Sequence, residues 1–174
     1  YFFILMKTIL IIPYRDRVNH LMYFLNNSLP KLVEAIPNFE VIVVEQTHGK
    51  RFNRGATINI GYDYYKNDDY YYITQDVDVN PQIPEAINFY ANEVKDNKFL
   101  GIYSDGDTLG GIVKFLGSTF SKTNGFPNDY WGWGSEDKEL QNRARHFNCE
   151  IEKLITFHEF DRKKKYFKIF EDNH

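Results

Sequence analysis

Two acidic pairs carry the most direct chemistry in this chain. Asp76-Val77-Asp78 follows a short apolar run, Tyr70 to Thr74, that reads as a β-strand. In extended backbone, residues i and i+2 face the same way, so both carboxylates address one spot and Val77 faces the other side. Hard oxygen donors at that spacing suit manganese or magnesium, and such a cation would neutralise a diphosphate. The same residues serve equally well as an acidic surface turn. The second pair, Glu136-Asp137, opens a helix directly after Trp131-Gly132-Trp133-Gly134-Ser135. Carboxylates at a helix N-terminus are favoured by the dipole, so capping alone explains them. The alternative is a general base beside a hinged, flat aromatic platform. Both tryptophans of the chain fall within this short run, which favours the second reading.

Other positions are more ambiguous. Gly110-Gly111 allows close approach of backbone to a ligand, or simply a tight turn. Pro13-Tyr14-Arg15-Asp16-Arg17 and Phe52-Asn53-Arg54 supply arginines in loops after strands, where the guanidinium fork suits phosphate or uracil oxygens and, equally, surface ion pairs. His158 stands at a strand end, a place more common for a surface histidine than for a ligand. Lys163 to Lys165 reads as a solvated face.

The elements that must position these residues alternate. Lys7 to Pro13, Phe39 to Val44, Tyr70 to Thr74, Ile112 to Leu116 and Ile151 to Phe157 read as strands. Arg17 to Leu29, Gly55 to Tyr65, Pro84 to Val94 and Glu136 to Phe147 read as helices. Gly101 to Gly111 reads as a mobile glycine-rich segment, and Asp161 to His174 as a charged tail prone to fraying. This alternation predicts an α/β single domain over 1–174 with a mainly parallel sheet.

Composition narrows the function. At 174 residues the chain has one domain's length, with 43% hydrophobic and 26% charged residues. A net charge of -3 gives no global reason to bind nucleic acid or an anionic membrane. The single cysteine, Cys149, excludes an intrachain disulfide and a cysteine zinc cluster. The apolar start, Tyr1 to Ile12, is interrupted by Lys7, too short for a transmembrane segment and unlike a signal peptide. The expectation is a cytoplasmic or otherwise soluble protein with no membrane anchor; Met6 reads equally as a natural start, with residues 1–5 an extension, and as an internal methionine. Aromatic residues reach 17%, which fits a ring-rich core and equally a sugar site.

Taken together and in order, these motifs resemble the β-1,4-galactosyltransferase family, including its N-acetylgalactosaminyltransferases. Ile11 to Arg17 is similar to the family's opening strand and nucleotide loop, and Phe52-Asn53-Arg54-Gly55-Ala56 to its Phe-Asn-Arg motif. Asp76-Val77-Asp78 and Gly110-Gly111 match its Asp-Val-Asp and paired glycines. The run Asn124 to Asp137 resembles its longest and most specific signature, and His158 with Asp161 to Lys164 its histidine and following basic stretch. The similarity extends from Lys7 to about Lys165.

The resemblance implies a GT-A (Rossmann-like) fold with a mixed sheet and a manganese-dependent (or magnesium-dependent) inverting transfer from a UDP-sugar donor to a sugar acceptor. It implies that Asp78 and His158 bind the metal and that Asp137 is the catalytic base. Glu136, Trp133 and Trp131 would bind the acceptor, Trp133 as the closing residue of a moving loop. Pro13, Tyr14, Arg15, Arg17, Phe52, Asn53, Arg54, Asp76, Thr108, Gly110 and Gly111 would bind the donor. The chain departs from the pattern in three ways. Ile155 and Thr156 stand where the family has a further metal ligand. Thr108 replaces the tyrosine of galactose-specific members, which predicts room for an N-acetyl group. The lumenal anchor and disulfides of animal members have no counterpart. A UDP-sugar hydrolase and a catalytically silent sugar-binding module are the alternatives.

Overall fold

The computed structural model of the chain describes residues 6–171. The expected extension at 1–5 and the last residues of the expected tail, 172–174, lie outside the described residues. Strand β1, Thr8–Tyr14, is a β-branched run buried almost throughout. A helical stretch follows as α1 (Val18–Tyr23), a π-helical turn (Phe24–Ser28) and α2 (Leu29–Ala35), with Pro30 tolerated because it sits in the first turn of α2. Then come β2 (Phe39–Glu45), α3 (Arg54–Tyr65), β3 (Tyr71–Gln75), β4 (Val79–Pro81), α4 (Pro84–Ala91) and β5 (Lys98–Ser104). The chain continues with β6 (Ile112–Leu116), α5 (Gly117–Lys122), α6 (Glu136–His146), β7 (Glu150–Thr156), α7 (Phe160–Tyr166) and β8 (Phe167–Ile169).

Among the described residues, six strands form one sheet in the order β2-β1-β3-β6-β5-β7. β1 pairs in parallel with β2 and β3, β5 pairs in parallel with β7, and β6 runs antiparallel to both its neighbours. The sheet is α/β, mixed and mainly parallel. Alternation along β1 divides the core into two. Leu10 and Ile12 join Phe24, Leu32, Ile87 and Tyr90 on one side. Ile9 and Ile11 join Ile58, Tyr62, Phe120 and Leu140 on the other. A sheet buried on both faces explains why β1 is apolar throughout rather than alternating.

Two sequence expectations need correction. The segment 101–111 is not a mobile loop throughout: Gly101 to Ser104 belong to β5, hydrogen-bonded on both sides and fully buried at Ile102. The stretch from 161 is not a simple charged tail either. Lys163 to Lys165 lie on α7, but Tyr166 and Phe167 are buried, and β8 pairs with β4 to form a second small sheet. Apolar anchors two residues long are invisible beside five basic neighbours, yet they hold this segment. Among the described residues, no helix is long and apolar enough to cross a membrane.

Candidate active site

A cleft of about 880 Å³ opens where the chain leaves β1 and β3. Open α/β sheets place their ligands there, outside the carboxyl ends of parallel strands. Pro13, Arg15 and Arg17 enter it at the end of β1, Phe52 and Arg54 at the start of α3, and Asp76 and Asp78 after β3. Thr108 and Gly111 come from the β5–β6 connection, and Trp133, Glu136 and Asp137 from the start of α6. Residues far apart in sequence thus share one wall-to-wall space.

Arg54 ties the two acidic pairs together. Its Nε lies 2.6 Å from Asp76 Oδ1, and its Nη1 lies 3.7 Å from Glu136 Oε1. Burial opposes its charge, but Asp76, Glu136 and Asp137 outweigh that and raise its pKa. One guanidinium cannot neutralise three carboxylates, so the most enclosed of them bears the excess. Burial raises the Glu136 pKa above its ordinary value, with Arg54 opposing and Asp137 and Asp76 adding to the rise. Glu136 Oε2 is buried with no hydrogen-bond partner among the described residues. A ligand hydroxyl would satisfy it.

Asp137 is placed by backbone. Its Oδ1 accepts the Lys138 N–H at 2.8 Å, and its carbonyl accepts from Leu109 N at 3.0 Å. Gly110 does not line the cleft. A Cβ there would overlap the Asp137 carboxylate, so the glycine makes room for that side chain. Gly111 has a φ of 71°, and its carbonyl accepts from Asp76 N at 3.3 Å, which links the paired glycines to the acidic turn. Gln75 holds that turn from below. Its amide donates to Val79 O at 2.9 Å, and its Oε1 accepts from the Tyr90 hydroxyl. Burial, with Asp78 and Asp76 nearby, pushes the Tyr103 hydroxyl up to about 12.

The tryptophan loop is hinged and outward-facing. Gly132 and Gly134 have φ values of 97° and 105°, and Ser135 one of 75°. Trp133 is fully exposed at 103%, free to swing onto a ligand. Trp131 lies outside the cleft lining, with the Lys50 ammonium 5.0 Å above its ring. Gly132 N donates to Phe52 O at 2.7 Å, so the loop is tethered to the arginine-bearing wall. Arg15 lies 5.5 Å over the Phe52 ring and donates to Lys50 O.

Three other expected site residues stand apart from the cleft lining. Asn53 is buried and caps α3, accepting from Ala56 N at 2.9 Å and donating to Asn128 O at 2.7 Å. Tyr14 closes β1, its carbonyl accepting from Gln46 N. His158 is 82% exposed, its Nε2 2.8 Å from Asp105 Oδ1. Asp78 and His158 offer a carboxylate and an imidazole, which fit manganese in kind. Among the described residues, no three carboxylate, imidazole or thiol groups converge as a ready site. Ile155 is fully buried in the core and supplies no donor, and Thr156 is engaged with the Glu159 carboxylate. Asp105, Asp16, Lys138 and Phe157 line the cleft without having been singled out from sequence. Asp105 directly follows β5, and reading that strand as loop hid the signal.

Comparisons with known proteins agree with this geometry. A model described as the N-terminal region of glycosyl transferase group 7 matches residues 4–91, and one described as an N-terminal domain of galactosyltransferase matches 95–171. A β-N-acetyl-D-glucosaminide β-1,4-N-acetylglucosaminyltransferase from Lymnaea stagnalis is 36% identical over 87% of this chain. Human β-1,4-galactosyltransferase 4 is 34% identical over 80% of it. The chain spans 33% and 43% of those proteins, respectively. Among solved structures, a Drosophila β-1,4-galactosyltransferase 7 mutant in complex with manganese, UDP-Gal and xylobiose superposes with a TM-score of 0.80 at 26% identity. That match covers 96% of this chain and 71% of the fly chain.

Proposed function

The chain belongs to the β-1,4-galactosyltransferase family, glycosyl transferase group 7, and from that premise we propose that it transfers galactose or an N-acetylhexosamine from a UDP-sugar to a hydroxyl of a sugar acceptor, with inversion. The observation that carries this reading is the convergence of Asp76 and Asp78 with Glu136 and Asp137 on one cleft, bridged through Arg54. A binding module has no need of a second acidic pair for which Gly110 leaves room.

In this reading Arg15 and Arg17 bind the nucleotide diphosphate, with Phe52 as an apolar wall. Asp78 and His158 would hold manganese or magnesium, which when bound offsets the charge developing on the departing UDP. His158 leaves Asp105 to do so. Asp76 stays paired to Arg54 beside the nucleotide. Glu136 accepts a hydrogen bond from an acceptor hydroxyl through its buried Oε2, unpartnered among the described residues. Asp137 takes the proton from the acceptor hydroxyl as its oxygen attacks the anomeric carbon from the face opposite UDP. The new C–O bond forms as the bond to the β-phosphate oxygen breaks, and UDP leaves with the electron pair. Base catalysis of this kind is worth about 10²–10⁴-fold. Trp133 closes over both sugars and excludes water. The side chain of Thr108, smaller than tyrosine, leaves room for a 2-N-acetyl group on the donor.

The test is UDP release from UDP-galactose, UDP-N-acetylgalactosamine, UDP-N-acetylglucosamine and UDP-glucose, with manganese or chelator and with or without sugar acceptors. Acceptor-stimulated, manganese-dependent release that Asp137→Asn abolishes is the expected result. Release indifferent to acceptor would make the protein a hydrolase. Binding of UDP without release would make it a binding module. Inert N-acetylhexosamine donors would overturn the role given to Thr108.

A further inference from the structure

The β5–β6 connection supplies three cleft residues, Asp105, Thr108 and Gly111, but forms no helix or strand of its own. Something else must set its shape. Lys153, on β7, reaches under it. Its ammonium donates to the carbonyl oxygens of Asp105, of Gly106 at 2.9 Å and of Thr108 at 2.6 Å, and to Gln141 Oε1 at 2.7 Å. An ammonium has three N–H bonds and here meets four oxygens, an arrangement resembling a cation in a carbonyl cage. The backbone would not converge three carbonyls without a positive charge among them.

The opposite strand is shaped for this group. Gly101 pairs with Lys153 in register across β5 and β7. A Cβ at 101 would stand 3.2 Å from Lys153 Cγ and 3.1 Å from Ser104 Cβ. Those two neighbours are the side chains that hold the loop, since Ser104 Oγ donates to Thr108 O at 2.7 Å. Meanwhile Thr108 Oγ1 is enclosed with no hydrogen-bond partner among the described residues, although the residue lines the cleft. Its backbone is fixed, and its hydroxyl is left for a ligand.

We propose that Lys153 is a positioning residue, a built-in cation that fixes the 105–108 loop and thereby sets how Thr108 and Asp105 meet the donor sugar. Lys153 touches no substrate. It acts through the three carbonyls, and its effect falls first on donor recognition, with Asp137 coupled to the same loop through the Leu109 N–H. This inference rests on the glycosyltransferase reading for its functional half alone.

The experiment compares wild type, Lys153→Met and Lys153→Arg by hydrogen exchange over residues 105–109 and by KM and kcat across the four UDP-sugars. Methionine keeps the stem and removes the charge. Exchange in the loop is expected to speed by at least about 10-fold in Lys153→Met, with the rest of the sheet unchanged. KM for the preferred donor is expected to rise about 10-fold, by a larger factor than kcat falls, and the preference between N-acetylated and plain hexoses to narrow. Lys153→Arg keeps the charge but is planar, so it should protect the loop in part and recover part of the preference. Unchanged loop exchange overturns the proposal, as does an unchanged donor preference in an active enzyme. If wild type turns over no UDP-sugar, the functional reading falls, while the exchange result still decides whether Lys153 holds the loop. If Lys153→Met does not fold, Lys153→Arg decides by the same two readouts.

Discussion

Replacing Arg54 with methionine removes the cation that bridges Asp76 and Glu136, along with the guanidinium's place 5.7 Å over the Phe126 ring, and keeps an unbranched apolar side chain. The Arg54 and Glu136 side chains are 12% and 8% exposed, and Asp76 is 33% exposed. Breaking an enclosed pair by deleting one partner costs about 3–5 kcal/mol, because the other charge stays behind without compensation. For a chain of this length each kcal/mol shifts Tm by about 2–4 °C, so the loss corresponds to about 6–20 °C. Solvent near Asp76 and protonation of Glu136 both favour the lower end. The pH dependence is the sharper signature. Burial already raises the Glu136 pKa above its ordinary 4.5, and Arg54 limits the rise. A carboxyl with a raised folded pKa makes its full contribution below the unfolded value and loses it as pH rises through the folded value. Without Arg54 that folded value climbs further. The deficit of the variant should therefore grow between about pH 5 and about pH 7.5. Thermal unfolding followed by circular dichroism at the two pH values measures it. A deficit under about 1 kcal/mol at the higher pH would match a surface pair and refute the enclosed hub. An equal deficit at both would refute the part assigned to Glu136.

Three further outcomes are expected. Gly110→Ala should displace the Asp137 carboxylate and lower transfer by about 10²-fold while UDP binding is retained, measured as UDP release beside equilibrium UDP binding. Trp133→Ala should leave stability within about 0.5 kcal/mol, because the ring contacts solvent, yet reduce acceptor-stimulated turnover; unchanged turnover would remove the residue from the mechanism. Lys114 is enclosed in β6, donates to Tyr90 O and Asn92 O, and has its pKa pushed down to about 8 by burial. At this site the unfolded chain therefore binds more protons between about pH 8 and 10.5, so Lys114 adds stability over that range, and denaturant titrations should show wild type improving relative to Lys114→Met as pH rises.

Much of the frame was legible from the chain. Runs such as Thr8 to Pro13 and Phe39 to Val44 are too apolar and β-branched to be anything but strands, and the helices between them follow from spacing and from Pro84 at a first turn. β5 was missed because Gly101 reads as a breaker and opens a glycine-rich stretch, although it packs against Lys153 in the sheet. The β4–β8 pair was lost because strands of three residues carry no period. The reversed direction of β6 had no local signature, since strand orientation is a property of the pairing and not of the strand.

The sequence by itself determined the chemical repertoire: two acidic pairs, a tryptophan pair between glycines, and arginines after strands, spaced as in a glycosyltransferase family. Those are properties of residue type and order, and they survive without coordinates. Only the tertiary structure decided which groups face one another. It made Arg54 a bridge between two carboxylates sixty residues apart, Asp76 and Glu136, turned Asn53 inward as a helix cap, and put Lys153 beneath a loop nearly fifty residues before it. Charge, burial and hydrogen bonding act over a few ångströms of space, and that distance is set by how the sheet is ordered, which no local stretch of this chain encodes.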